Sequence, residues 1–163
     1  MLPERKLARL GFLVLVGMAA WGVTAAAGDL PPTTHKELHC PVCGMIPAHY
    51  PKWRTQITFR DGIVAAFDSP ADMFRFLGNV AKYDSKHTAA DIAEIQVTDF
   101  IKKSRIDARR AFYVSGSSVR GPMGPDLPAF ESQADAEFLG RNAGGKVLDF
   151  MQAGKEISRA SAH

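Results

Sequence analysis

Two stretches of the chain alternate apolar and polar positions in the same order and then turn helical. Thr55-Gln56-Ile57-Thr58-Phe59 alternates strictly, Asp61-Gly62 is a hairpin-turn signal, and Ile63–Phe67 reads as the return strand. Ser69-Pro70-Ala71-Asp72 has the composition of a helix start: a hydroxyl cap, proline at the first helical position and an acid two further on. Met73, Leu77, Val80 and Ala81 then recur on one helical face with Phe74 beside them, and Ile92–Ile101 supplies a third strand. Further along, Ala111–Ser115 is a strand, Ser132 a helix cap, and Asn142-Ala143-Gly144-Gly145 a helix stop.

These stretches are two copies of one pattern. Ala66-Phe67-Asp68-Ser69-Pro70-Ala71-Asp72 matches Ala129-Phe130-Glu131-Ser132-Gln133-Ala134-Asp135, and Val97-Thr98-Asp99-Phe100 matches Val147-Leu148-Asp149-Phe150. The first copy is the longer, with the polar stretch around Lys82–Ala90 as its insertion. Neither copy buries enough surface to stand alone, so the expected fold is α+β, two related ββαβ units packed into one compact body. Asp99 and Asp149 recur with the units and read as structural residues.

The expected organisation is a leader over residues 1–27, then a tether with a metal motif over 28–54. The two repeats follow at 55–104 and 105–155, with a tail at 156–163. The leader opens with Arg5, Lys6 and Arg9, continues uncharged from Leu10 to Ala27, and ends Ala25-Ala26-Ala27. That is a secretory signal or, uncleaved, a membrane anchor through Leu10–Ala27, with everything after it on the outer side. No cysteine closes the apolar run, so lipoprotein processing has no acceptor there.

Charge changes this picture little. The whole chain has 20 basic and 17 acidic residues among 163; without the leader's three cations and Glu4, 17 face 16. No nucleic-acid partner is expected from so even a balance. Two cysteines, Cys40 and Cys43, exclude a disulfide framework, a four-cysteine zinc ribbon and an all-cysteine iron–sulfur cluster within one chain.

The chemistry is concentrated in His35-Lys36-Glu37-Leu38-His39-Cys40-Pro41-Val42-Cys43-Gly44-Met45-Ile46-Pro47-Ala48-His49. Haem attachment fails because Gly44, not histidine, follows Cys43. A zinc knuckle completed by His39, His35 or His49, a redox dithiol, and a structural disulfide all remain open. Copper(I) is the further reading, because thiolate and thioether together select it over hard ions. Met73 and Met151 are expected to pack. Met45 and Met123 instead lie on turns, in Cys-Gly-Met-Ile-Pro and Gly-Pro-Met-Gly-Pro, where packing value is small and sulfur is presentable.

The Cys-x-x-Cys-Gly-Met block, the following Tyr50-Pro51-Lys52-Trp53, and the Gly-Pro-Met-Gly-x-x-Leu-Pro-Ala-Phe string at 121–130 resemble the NosL family. The resemblance covers roughly residues 38–152. It implies a fold of two ββαβ units, similar to the core of organomercurial lyase. It also implies a binding protein rather than an enzyme, one that captures Cu(I) in the periplasm and hands it over for the copper centres of nitrous oxide reductase. The implied partner is an ABC-type membrane complex with a periplasmic component. Matched residue by residue, the implied ligands are Cys43, Met45 and Met123, with Cys40 and His39 as further candidates. Many members are lipoproteins; this chain lacks the acceptor cysteine and is expected to be soluble after cleavage or tethered by Leu10–Ala27.

Overall fold

The computed structural model describes residues 38–161. The leader, the first part of the tether and His35 lie outside the described residues.

Strands β1 (Thr55–Phe59) and β2 (Val64–Phe67) form the expected antiparallel hairpin, with Thr55 opposite Phe67 and Thr58 opposite Val64. The turn closes because Asp61 Oδ1 accepts the Ile63 N–H at 3.0 Å and Gly62 adopts φ +87°, open to glycine at little cost. Helix α1 (Pro70–Gly78) begins as its sequence implies: the Ser69 hydroxyl accepts the Asp72 N–H and Pro70 needs no partner of its own. It stops at Asn79, which caps the short α2 (Val80–Tyr83). Strand β3 (Ile92–Thr98) returns beside β1, and β4 (Arg105–Asp107) adds an edge, giving the order β2-β1-β3-β4. β3 ends short of Ile101 because the Asp99 carboxylate takes the N–H groups of Ile101 and Lys102 and folds that segment into a turn.

The second unit repeats the first. Strand β5 (Phe112–Ser115) is followed by a two-stranded ribbon, β6 (Arg120–Gly121) and β7 (Gly124–Pro125), and then by β8 (Ala129–Phe130). Helix α3 (Gln133–Ala143), capped by Ser132, ends at Gly144 and Gly145, both at positive φ; β9 (Lys146–Leu148) completes a sheet ordered β8-β5-β9. That order is the β2-β1-β3 order of the first unit, with every pairing antiparallel. Each copy carries its own insertion. In the first it is the segment between α2 and β3; in the second it is the ribbon bearing Met123.

One apolar cluster joins the units, with Phe67, Phe74, Phe76, Ile95 and Val97 of the first packed with Tyr113, Leu127, Ala129 and Leu148 of the second. Polar contacts lock the seam. The Phe100 N–H donates to the Ala129 carbonyl at 2.8 Å, and the fully buried Asp99 accepts the Glu131 N–H at 2.8 Å.

The sequence pattern placed a tail at 156–163; instead a fourth helix, α4 (Phe150–Ala160), runs through that boundary. Asp149 and Gln152 form a reciprocal capping box at its start. Phe150, Ala153 and Ile157 turn inward against α1, and Gly154 lies against the Phe74 ring. Met73 is fully buried as expected, but Met151 is 65% exposed: it lies off the Phe150–Ala153–Ile157 face.

Candidate metal centre

The motif Cys40–Met45 closes on itself. The Gly44 N–H donates to the Cys40 carbonyl and the Cys40 N–H to the Met45 carbonyl, each at 2.8 Å. Gly44 makes the reversal with φ +78°. The turn presents both thiols to the junction where β2 passes into α1. Cys40 is buried and joins the apolar core; Cys43 is half-buried and faces outward. No disulfide links them.

Two carboxylates meet them. The Cys43 thiol donates to Asp68 Oδ1 at 3.0 Å and the Cys40 thiol to Asp72 Oδ2 at 3.5 Å. Ligand atoms of Cys40, Cys43, Asp68 and Asp72 all lie within 4.8 Å of one another. Local sequence explains the placement. Asp68 precedes the cap of α1 and Asp72 sits in its first turn, so the strand–helix junction brings both acids to one point. The Ser69 hydroxyl takes the Asp72 N–H, and the Asp72 carboxylate turns to Arg75 and Cys40.

Both Asp68 and Asp72 are buried, and Asp68 Oδ2 is buried without a hydrogen-bond partner. A buried carboxylate with an unused oxygen is costly unless a cation completes it. Burial pushes the Cys40 thiol up to about 11. It pushes Cys43 further still, with the Asp68 and Asp72 carboxylates adding to the rise. The metal-free thiols are therefore held protonated, each against its own acceptor.

Cys43 and Asp72 open into a groove of about 650 Å³ that Met123, 67% exposed on the β6–β7 ribbon, also lines. Asp126 fastens this ribbon to α1: its Oδ1 accepts the N–H groups of Ala71 at 3.1 Å and Leu127 at 2.8 Å. Gly121 is required there, since a Cβ would come within 2.6 Å of Asp126 Oδ2. Burial raises the Asp126 carboxyl to about 6.

Of the residues singled out in the sequence, the structure brings Cys40 and Cys43 together and sets Met123 on the same groove as Cys43. Met45 is half-buried at the end of the motif, where its carbonyl holds Cys40, and it does not line the groove. His39 is exposed, its Nδ1 2.9 Å from the Gly44 carbonyl oxygen, and His49 is also exposed. Asp68 and Asp72 went unrecognised as site residues. Their signal was present in the repeat block Ala66–Asp72, where both acids flank a helix cap and Asp72 passed as a capping residue.

Paired thiols facing paired carboxylates, on an α+β fold of two like units, form a cluster that fits a metal ion. The chain belongs to the NosL family, whose sequence model matches residues 31–158. The copper-binding lipoprotein NosL of Stutzerimonas stutzeri is 31% identical over 134 residues, 81% of this chain and 70% of that protein. The crystal structure of the copper chaperone NosL from Shewanella denitrificans matches with a TM-score of 0.61 at 28% identity, over 72% of this chain and 90% of that one. The family and the α+β fold are those the motifs implied. Among the described residues, no helix is long and apolar enough to cross a membrane.

Proposed function

We propose that this protein is an exported Cu(I) carrier, a binding protein and not an enzyme. In this reading it captures copper in the periplasm and delivers it for assembly of the copper centres of nitrous oxide reductase. The receiving partner is an ABC-type membrane complex with a periplasmic component, and the protein works either free after signal cleavage or held by Leu10–Ala27 at the outer face of the inner membrane. The observation that carries the reading is the pair of thiols beside a buried, unsatisfied Asp68 oxygen, opening into a groove that Met123 also lines. The names of the two relatives support copper as the ion.

Cys43 is the anchoring thiolate, being the thiol that lines the groove. Cys40 is the deeper second donor. Met123 and Met45 offer neutral sulfur, and His39 stands at the rim. Thioether ligands are displaced one at a time without separating charge, which suits transfer to a partner. Asp68 and Asp72 stand where protons leave the thiols, so loading exchanges thiol protons for the metal.

One observation favours a second reading. Two thiolates with two carboxylates also suit zinc. A thiol–disulfide oxidoreductase is disfavoured, because both thiols are pushed above the range in which an attacking thiolate is available at neutral pH.

Anaerobic titration of the reduced protein with Cu(I) and Zn(II) in parallel tests the proposal. Cu(I) is expected to bind the more tightly, and Cys43→Ser to weaken it at least about a hundredfold. Tighter zinc binding, or copper binding indifferent to Cys43→Ser, overturns it.

A further inference from the structure

Between Ile101 and Arg110 the chain carries Lys102, Lys103, Arg105, Arg109 and Arg110, all exposed, against a single acid, Asp107. Since 17 basic residues face 16 acidic ones beyond the leader, this segment holds positive charge that the rest of the protein does not share. The acids around it are committed. Asp99 is fully buried and spends its carboxylate on the N–H groups of Ile101, Lys102 and Glu131. Glu131 pairs with Lys102 at 2.8 Å, and Asp107 Oδ1 accepts the Arg109 N–H at 2.9 Å.

The run Lys52-Trp53-Arg54, leading into β1, lies alongside. The Thr98 hydroxyl donates to the Arg54 carbonyl at 2.7 Å, and Thr98 pairs in register with Arg105, so the two arginines flank it from either side. Nη2 of Arg54 is buried and has no partner. Burial, and then the charge of Arg105, lowers the Arg54 pKa from its ordinary value. Arg105 is the exposed fork of the two, and a guanidinium fork matches an oxyanion such as a phosphodiester.

The same corner has an apolar tip. Ile101 is 54% exposed on the β3–β4 turn, next to Lys102 and Lys103. Behind it the half-buried Trp53 packs edge-on against Phe100 with ring centroids 5.2 Å apart, and Lys52 Nζ lies 5.8 Å from the Phe100 ring. An aliphatic tip, a tryptophan set just behind it and a surround of cations are the groups that partition to a lipid–water interface. Ile101 projects from an exposed turn, which favours a fluid apolar phase over a peptide ligand.

We propose that the Ile101–Arg105 turn, with Trp53 behind it, docks the protein on anionic phospholipid. Ile101 enters the acyl boundary, Trp53 lies at headgroup depth, and the exposed Lys102, Lys103 and Arg105 take lipid phosphate. The metal centre belongs to the same end of the four-stranded sheet: Thr55, which follows Arg54, begins β1 opposite Phe67, next to Asp68. Docking therefore brings the metal groove to the bilayer surface, independently of which ion it holds.

The test uses the full chain with Trp21→Phe, which leaves Trp53 as its one tryptophan, and follows Trp53 quenching by brominated lipid. Vesicles of phosphatidylcholine alone are compared with vesicles containing phosphatidylglycerol; the leader is common to every variant and cancels between variants on the same vesicles, so the variants isolate the turn. Quenching is expected with the anionic vesicles and to be much weaker with the neutral ones. K102E/K103E should raise the half-saturating lipid concentration at least about tenfold. Ile101→Ser should reduce quenching depth, with near-ultraviolet circular dichroism unchanged in both variants. Equal quenching by neutral and anionic vesicles overturns the proposal, as does a response unaltered in either variant. Binding of polyaspartate without any vesicle response overturns it in favour of an acidic protein partner.

Discussion

The Cys43 thiol donates a 3.0 Å hydrogen bond to a buried carboxylate, Asp68, whose other oxygen has no partner. The protein thus keeps a buried carboxyl oxygen without a partner beside its two thiols. Asparagine at this position keeps the acceptor for Cys43 and removes the charge. Asp68→Asn is therefore expected to stabilise the metal-free protein by about 1–3 kcal/mol in denaturant unfolding. It should also shrink the stabilisation that added metal provides. A metal-free stability lower than that of the parent protein would show that Asp68 is held by contacts that serve the fold alone.

The raised thiols set the pH dependence of loading. Both are protonated at neutral pH, so each one engaged by metal releases a proton, and apparent affinity should rise roughly tenfold per pH unit per thiol engaged. Competition titrations between pH 6 and 8 measure this slope. Stability of the metal-free protein runs the other way. A thiol raised from 9.0 to about 11, as at Cys40, contributes stability that is present below the unfolded value and lost as pH climbs towards the folded one. Unfolding of the reduced protein should become easier from pH 9 to 11, and Cys40→Ser should make that decline shallower while the share of the more strongly raised Cys43 remains.

How much of this was legible in the sequence depended on whether a signal was local. Ser69-Pro70 and Asp61-Gly62 each specify their own turn or cap within four residues, and both formed as read. The repeat carried the topology, because two copies of a short pattern have to pair their strands alike. Helix α4 was missed because its inward face, Phe150, Ala153 and Ile157, has only two large apolar residues, and the small Ala153 signals a buried position only once α1 is packed against it. Asp68 and Asp72 were hidden for another reason. The sequence separates them from Cys43 by 25 and more positions, and only the crossing of the motif over the β2–α1 junction makes them neighbours.

Asp99 is the polar joint between the two units. Its carboxylate accepts three backbone N–H groups, from Ile101, Lys102 and Glu131, all within 2.9 Å, and no solvent reaches it. Removing it leaves three donors short of partners at the seam, two of them in its own turn and one across the interface. Asp99→Ala is expected to destabilise the protein by about 3 kcal/mol or more. Asp99→Asn, which can still accept on one oxygen, should cost less. Chemical denaturation of both variants gives the comparison, and equal losses would mean that only the charge matters.

His87 belongs to the insertion of the first unit and is clamped there by two acids. Its Nδ1 lies 2.7 Å from Asp84 Oδ2 and its Nε2 3.0 Å from Asp61 Oδ2, while its ring stacks on Phe59 at 4.0 Å and 10°. With a carboxylate at each nitrogen, both must be donors, which is the imidazolium form. The Asp61 bond first, and then the Asp84 bond, raise the pKa of His87 above its ordinary value. A histidine raised on folding contributes stability that is complete below about 6.5, its unfolded value, and is lost as pH rises through the folded value. The thermal midpoint should therefore fall as pH is raised from 6 towards 8, and His87→Gln should remove that dependence while lowering the midpoint at pH 6. Proton NMR of the His87 ring measures the titration directly. A midpoint at or below 6.5 would mean that one of the two carboxylates releases the ring in solution.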